Sequence, residues 1–163
     1  MRHVCRLSRP IRHLLHLESR NVWVMYKKII VGYDGSERAL RAVDEAVDLS
    51  TAVGSSLHLV TAVDKANPIH EIGESSDKQF LSDSEIAHTQ LTALASKASH
   101  LDVSVAAVPG TAAQVLVDQA TLLDADLIMV GNRRMQGLSR VLGSVAEGVA
   151  HKAPCAVLIA KTA

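Results

Sequence analysis

The sequence predicts an α/β fold in which a five-stranded parallel sheet is flanked by helices on both faces. Three observations carry that prediction. Short apolar runs alternate along the chain with longer amphipathic stretches, in the order strand, helix, strand, helix, strand, helix, strand, helix, strand. The apolar runs show little in-out alternation, as strands buried on both sides do. The junctions hold Gly, Pro, Asp, Ser and Thr, which are turn and cap residues. Alternation of this kind requires right-handed crossovers, and ligands then sit beyond the carboxyl ends of the strands where the strand order reverses.

Each element has its own signal. Lys27 to Tyr33 is an apolar run that stops at Asp34-Gly35-Ser36, a turn whose serine can cap the next helix. In that helix Ala39, Leu40, Val43, Ala46 and Val47 form one stripe, while Glu37, Arg41, Asp44, Glu45 and Asp48 face water. Gly54 ends it, and Leu57 to Val63 is the second strand. Residues 64 to 82 are polar, carry Pro68 and Gly73, and read as a long loop. A helix over 83 to 99 places Ala87, Leu91, Leu94, Ala95 and Ala98 on one stripe. Val103 to Val108 is the third strand, broken by Pro109-Gly110. Thr111 caps a helix with Ala112, Val115, Leu116 and Leu123 inward. Asp126 to Val130, a glycine-bearing loop, a helix from Ser144 to Lys152 and a strand from Cys155 to Ala160 complete the chain. No internal repeat or second domain is visible.

Composition narrows the function classes. The 163 residues contain 48% apolar and 21% charged residues, a globular balance large enough for one core without disulfides or metal staples. No segment approaches the roughly 18 uninterrupted apolar residues of a membrane span. The 17 basic and 17 acidic groups cancel only in total. Residues 1–24 hold Arg2, Arg6, Arg9, Arg12 and Arg20 against Glu18, a net of +4, so the remaining 139 residues carry 12 basic and 16 acidic groups, a net of −4. A domain this acidic has no broad basic face, which argues against a nucleic-acid partner. Cys5 and Cys155 lie far apart, form neither a disulfide framework nor a zinc motif, and favour a cytoplasmic setting.

The division at residue 24 sets off a basic, His-rich extension from the domain over 25–163. The extension lacks the continuous apolar stretch and small-residue cleavage site of a secretory signal. Three readings stand: a start assigned upstream of the true one at Met25, a disordered basic tail, or an Arg-rich targeting peptide that is short of serines. His13 and His16 can meet on a helix but have no third ligand.

The segment Gly131 to Val145 follows a strand and opens a helix, where free backbone N–H groups and the helix dipole bind anions. Its glycines allow close approach of main chain, Ser144 can cap the helix or donate to a phosphate, and Arg133, Arg134 and Arg140 cluster within eight residues. The alternative is a helix cap beside solvated arginines. The segment is neither GxxxxGK[ST] nor GxGxxG, and Gly137-Leu138-Ser139-Arg140-Val141 lacks the closing glycine of a hydrolase elbow. Asp34 has two readings as well, a ligand group or a plain turn residue at a strand end. His58, His70, His88, His100 and His151 make no metal spacing, and Cys155 reads as a small buried hydrophobe.

Four stretches together resemble the universal stress protein family: Ile29-Ile30-Val31-Gly32-Tyr33-Asp34-Gly35-Ser36, Asp126-Leu127-Ile128-Met129-Val130-Gly131, Leu142-Gly143-Ser144-Val145, and Ala153-Pro154-Cys155-Ala156-Val157-Leu158-Ile159. The resemblance covers about residues 26 to 161 and implies an adenine nucleotide alpha hydrolase-like, Rossmann-like sheet, a homodimer through the last strand and, in one branch, ATP held by a G-x2-G-x9-G-[ST] loop. Carried over, Asp34 matches the acid near the ribose and a nucleotide-bound divalent ion such as magnesium, and Val63 the strand end whose backbone meets adenine. Gly131 matches the first glycine of the loop, and Gly143, Ser144 and Val145 its phosphate-binding end. Ser36, Gly110, Asn132, Arg133 and Gly137 join the candidate site from their positions at the strand ends and in the loop. Two departures stand out: Arg134 occupies the second glycine position, and only eight residues, 135 to 142, separate it from Gly143.

The resemblance therefore implies an adenine-nucleotide-binding stress regulator that takes ATP, with AMP and cyclic AMP as variants, and that at most hydrolyses ATP slowly. The alternative is a dimeric stress protein that binds no ATP, or binds cyclic AMP, and acts through protein contacts; Arg134 favours it. An ATP pyrophosphatase needs an SGGxDS-type loop where this chain has Tyr33-Asp34-Gly35-Ser36-Glu37.

Overall fold

The computed structural model describes residues 26–73, 79–132 and 143–161. The N-terminal extension and Arg133, Arg134, Gly137 and Arg140 lie outside the described residues.

Five strands, β1 (Lys28–Gly32), β2 (Ser56–Val63), β5 (Val103–Pro109), β6 (Leu127–Gly131) and β7 (Ala156–Ala160), form one sheet in the order β5-β2-β1-β6-β7. Every pairing in it is parallel, so the expected five-stranded parallel sheet is present. Helices α1 (Glu37–Val53), α2 (Asp83–Lys97), α3 (Ala112–Leu123) and α4 (Ser144–Lys152) cover its two faces. Successive residues of β1 show why both faces must be covered. Ile29 and Val31 pack with Ala42, Val43 and Ala46 of α1 and Leu91 of α2, whereas Ile30 packs with Val115, Leu116 and Ala120 of α3 and Val149 of α4. A period of two sends these side chains to opposite sides, and burying all of them supplies the main drive to fold.

Polar clamps set the strand starts. The Asp126 carboxylate accepts the Lys27 and Lys28 amides at 2.8 and 3.0 Å, tying β1 to the entry of β6. Lys28 Nζ donates to the Leu123 carbonyl at 2.6 Å, at the end of α3 where the dipole favours a cation. Gly54 caps α1 with φ at 74°, as its sequence position requires.

Three local expectations are corrected. Residues 64 to 82 are not simply loop: they contain an antiparallel hairpin, β3 (Ile69–Ile72) and β4 (Gln79–Ser82), with Ile69 opposite Ser82 and Glu71 opposite Phe80. Main-chain pairing and side-chain ties make it, including Asn67 Oδ1 accepting from Ser84 N and Oγ, both at 2.9 Å, and His70 paired to Asp83 at 2.7 Å. Its strands are largely exposed, with Phe80 67% accessible, so no buried apolar run announces them. Thr111 stands at the N-cap of α3 without a side-chain bond. The cap of α4 is Gly143, and Ser144 is the first helical residue. By contrast α2 has a full capping box, in which Ser82 and Glu85 satisfy each other's amides. The two Ser82 bonds hold the Glu85 carboxyl below the usual range.

His58 is the buried imidazole of the sheet. Its ring meets Ser104 Oγ of β5 at 2.7 Å and Gln119 Oε1 of α3 at 3.3 Å. Burial lowers its pKa below the usual value, the Gln119 bond opposes this, and Lys28 adds to it. The unfolded chain then binds the proton more readily than the folded one. Stability is full above the unfolded His value of about 6.5 and falls as pH drops through it toward the lower folded value. In urea unfolding between pH 7.5 and 5, His58→Gln is expected to flatten part of the acid-side decline. Parallel declines in variant and wild type would refute this role for His58.

Candidate functional site

The sheet order reverses at β1, because the chain builds outward through β2 and β5 on one side and then through β6 and β7 on the other. Beyond the carboxyl ends of β1 and β6 lies a cavity of about 360 Å³, within the roughly 300–1,000 Å³ of ordinary ligand pockets. Two glycines let its walls close up. A Cβ on Gly32 would stand 3.0 Å from Leu116 Cδ1, and one on Gly131 would stand 3.2 Å from the Arg38 carbonyl oxygen. Glycine at these strand ends therefore brings α3 and the first turn of α1 close over the sheet.

The exit of β1 is fixed by hydrogen bonds. Tyr33 N donates to Val60 O at 2.8 Å, and Thr61 Oγ1 donates to Tyr33 O at 2.8 Å. The chain then turns through Asp34, whose Oδ1 accepts from Ser36 N at 3.0 Å and from Ser36 Oγ at 2.6 Å. Ser36 Oγ in turn accepts from Ala39 N at 3.2 Å and caps α1. Asp34 is thus a turn residue through one oxygen while its carboxylate stays at the cavity.

Three helices begin at this cavity: Ser36 and Ala39 of α1, Ala112 of α3, and Gly143 to Ala146 of α4 all line it. Of these only α1 is capped by a side chain. The first amides of α3 and α4 have no side-chain cap, and amides of that kind, with the dipole behind them, form an anion site. Among the described lining residues Asp34 is the one acid and Arg38 the one cation. No group of three or more His, Cys, Asp or Glu able to hold a metal occurs among the described residues.

The sequence-predicted residues divide clearly. Asp34 and Ser36, then Gly131 and Asn132, then Gly143, Ser144 and Val145 line the cavity. Val63 and Gly110 do not; they hold each other, the Gly110 amide donating to the Val63 carbonyl at 2.9 Å. Arg133, Arg134 and Gly137 lie outside the described residues. Sequence reasoning missed Gly32, Val60, Ala62, Leu116 and Arg38, all of which line the cavity. Gly32 was findable as a strand-end glycine, whereas nothing in the local pattern distinguishes Arg38 from a solvated helix charge. Cys155 packs half-buried against the α3 and α4 side of the core, where burial pushes its thiol pKa up.

A model of the universal stress protein family matches residues 25–161. The chain belongs to the universal stress protein family. A universal stress protein of Methanocaldococcus jannaschii is 29% identical over 154 residues, covering 91% of this chain and 90% of that one. A putative universal stress protein of Staphylococcus saprophyticus is 30% identical over 143 residues, 84% of each. Among solved structures, a universal stress protein in complex with cAMP is 29% identical with a TM-score of 0.61, covering 85% of this chain and 98% of that one. The universal stress protein UspA from Lactobacillus plantarum, 22% identical, superposes with a TM-score of 0.62 over 83% of this chain and 98% of its own, and shares the fold. Among the described residues no helix of this universal stress protein is long and apolar enough to cross a membrane.

Proposed function

We propose that this universal stress protein binds an adenine nucleotide, ATP foremost, in the cavity at the β1 and β6 ends, and that occupancy regulates its contacts in a stress response. The observation that carries the reading is the meeting of two helix N-termini without side-chain caps, those of α3 and α4, around one cavity with Asp34 at its rim. The amides of Ser144 and Val145 suit a phosphate, the Asp34 carboxylate suits the ribose hydroxyls, and Ala62 and Leu116 give the flat base an apolar wall. A divalent ion enters with the nucleotide, near Asp34, and slow hydrolysis is the most catalysis this site supports. β7, paired only with β6 among the described strands, is the edge through which two copies join.

The second reading, cyclic AMP, is favoured by the cAMP complex of the 29% identical relative. Isothermal titration of the full chain with ATP, AMP and cyclic AMP decides between them by rank order. Asp34→Ala is expected to weaken the preferred nucleotide by about tenfold or more, the worth of a hydrogen bond to a charged group. No heat from any of the three at millimolar concentration would sink the nucleotide reading.

A further inference from the structure

The described lining offers the phosphates of a nucleotide one cationic residue, and it is Arg38, which the sequence motifs do not include. Arg38 is the second residue of α1, inside the first turn, where the positive end of the helix dipole makes a cation unfavourable. Its neighbours one turn along the helix are Arg41 and Ala42, so no acid at the i+3 or i+4 position neutralises it. The salt bridge between His70 and Asp83 does not involve Arg38. Its main chain is fixed at the rim, because its carbonyl oxygen lies where a Cβ on Gly131 would approach to 3.2 Å. An exposed arginine held beside two helix N-termini adds charge where those N-termini are already positive, and Asp34, the one acid of the described lining, gives one carboxylate oxygen to Ser36 and is not ion-paired with Arg38. An anion in the cavity resolves that accumulation.

We propose that Arg38 is the charge-reading residue of the cavity, pairing its guanidinium with the phosphate chain of the bound nucleotide and setting the preference for phosphorylated ligand over nucleoside. This rests on the nucleotide reading above. A guanidinium is suited to the task because its planar fork of donors matches phosphate oxygens and never loses its charge.

The test is titration calorimetry on the full chain with ATP, AMP and adenosine, for wild type, Arg38→Gln and Arg38→Lys, with thermal midpoints recorded for each. For Arg38→Gln the ratio of ATP to adenosine affinity is expected to fall at least about tenfold, with adenosine binding unchanged and the thermal midpoint equal to or slightly above wild type, as removal of a cation from the first turn of α1 requires. Arg38→Lys, which keeps a charge without the fork, is expected to recover part of that ratio. An unchanged ratio in Arg38→Gln, or an equal loss for adenosine, overturns the assignment while leaving the nucleotide reading intact. Absence of any binding by the wild type overturns both.

Discussion

Gly148→Leu is expected to lower stability by about 2 kcal/mol or more and to weaken the proposed nucleotide binding with it, because this glycine is where α4 crosses α3. A Cβ built on Gly148 would lie 2.9 Å from the Cβ of Ala113, closer than two carbon atoms pack. Glycine inside a helix costs roughly 1 kcal/mol relative to alanine, so close helix approach must offset that cost here. Moving α4 outward gives no relief: Ala146 and Val149, on either side of Gly148, are 2% and 0% exposed and hold the helix on the sheet. Overpacking of this kind costs about 1–3 kcal/mol, and for a chain of this size about 2 kcal/mol corresponds to a fall in Tm of roughly 4–8 °C. The same displacement shifts Ser144 and Val145 at the start of α4, which line the cavity. Melting and ATP titration should therefore fail together in Gly148→Leu. Gly148→Ala sets the propensity gain against the contact directly, and a Tm above wild type there would show that the helices have room. Wild-type melting by Gly148→Leu would overturn the packing account.

The sheet was legible because its strands are buried on both faces, and that burial forces uninterrupted apolar runs such as Leu127 to Val130, each at most 3% exposed. The hairpin of β3 and β4 escaped because the opposite physics holds there. Ile69 to Ile72 is exposed at every position, so side-chain type carries no constraint and the backbone pairing leaves no trace in the residues. The site was legible where it depends on glycine or on a turn. Gly131 marks close main-chain approach, and Asp34 with Ser36 marks a tight exit from a strand, whereas the α4 cap was read one residue late, at Ser144 instead of Gly143. It was not legible where the cavity wall is made by ordinary core residues such as Val60 and Leu116, whose types answer to packing. Arg38 is the instructive case, because its meaning comes from the Gly131 contact and from the helix ends across the cavity, all far away in sequence.

Gly110, which the sequence reading placed in the site but which does not line the cavity, acts through the backbone, and Gly110→Val is expected to cost about 3 kcal/mol or more. Its φ is 150°, a conformation that side-chain-bearing residues rarely adopt, and such strain costs roughly 1–3 kcal/mol. A Cβ there would also meet Val115 Cγ2 at 2.9 Å. Relaxing φ would pull the Gly110 amide from Val63 O, its 2.9 Å partner, and would swing the start of α3, with Ala112 at the cavity. Strain and contact can be separated experimentally. Val115→Ala removes the methyl that a new Cβ would strike, at its own cost of about 2 kcal/mol for a core side chain 4% exposed. If the contact dominates, Gly110→Ala combined with Val115→Ala loses less than the sum of the single losses by about 1 kcal/mol or more in urea unfolding. If φ dominates, the two losses add, since shortening Val115 leaves the backbone where it was. A Gly110→Ala variant as stable as wild type would refute both terms, and Gly110 would then be a position that any small residue can fill.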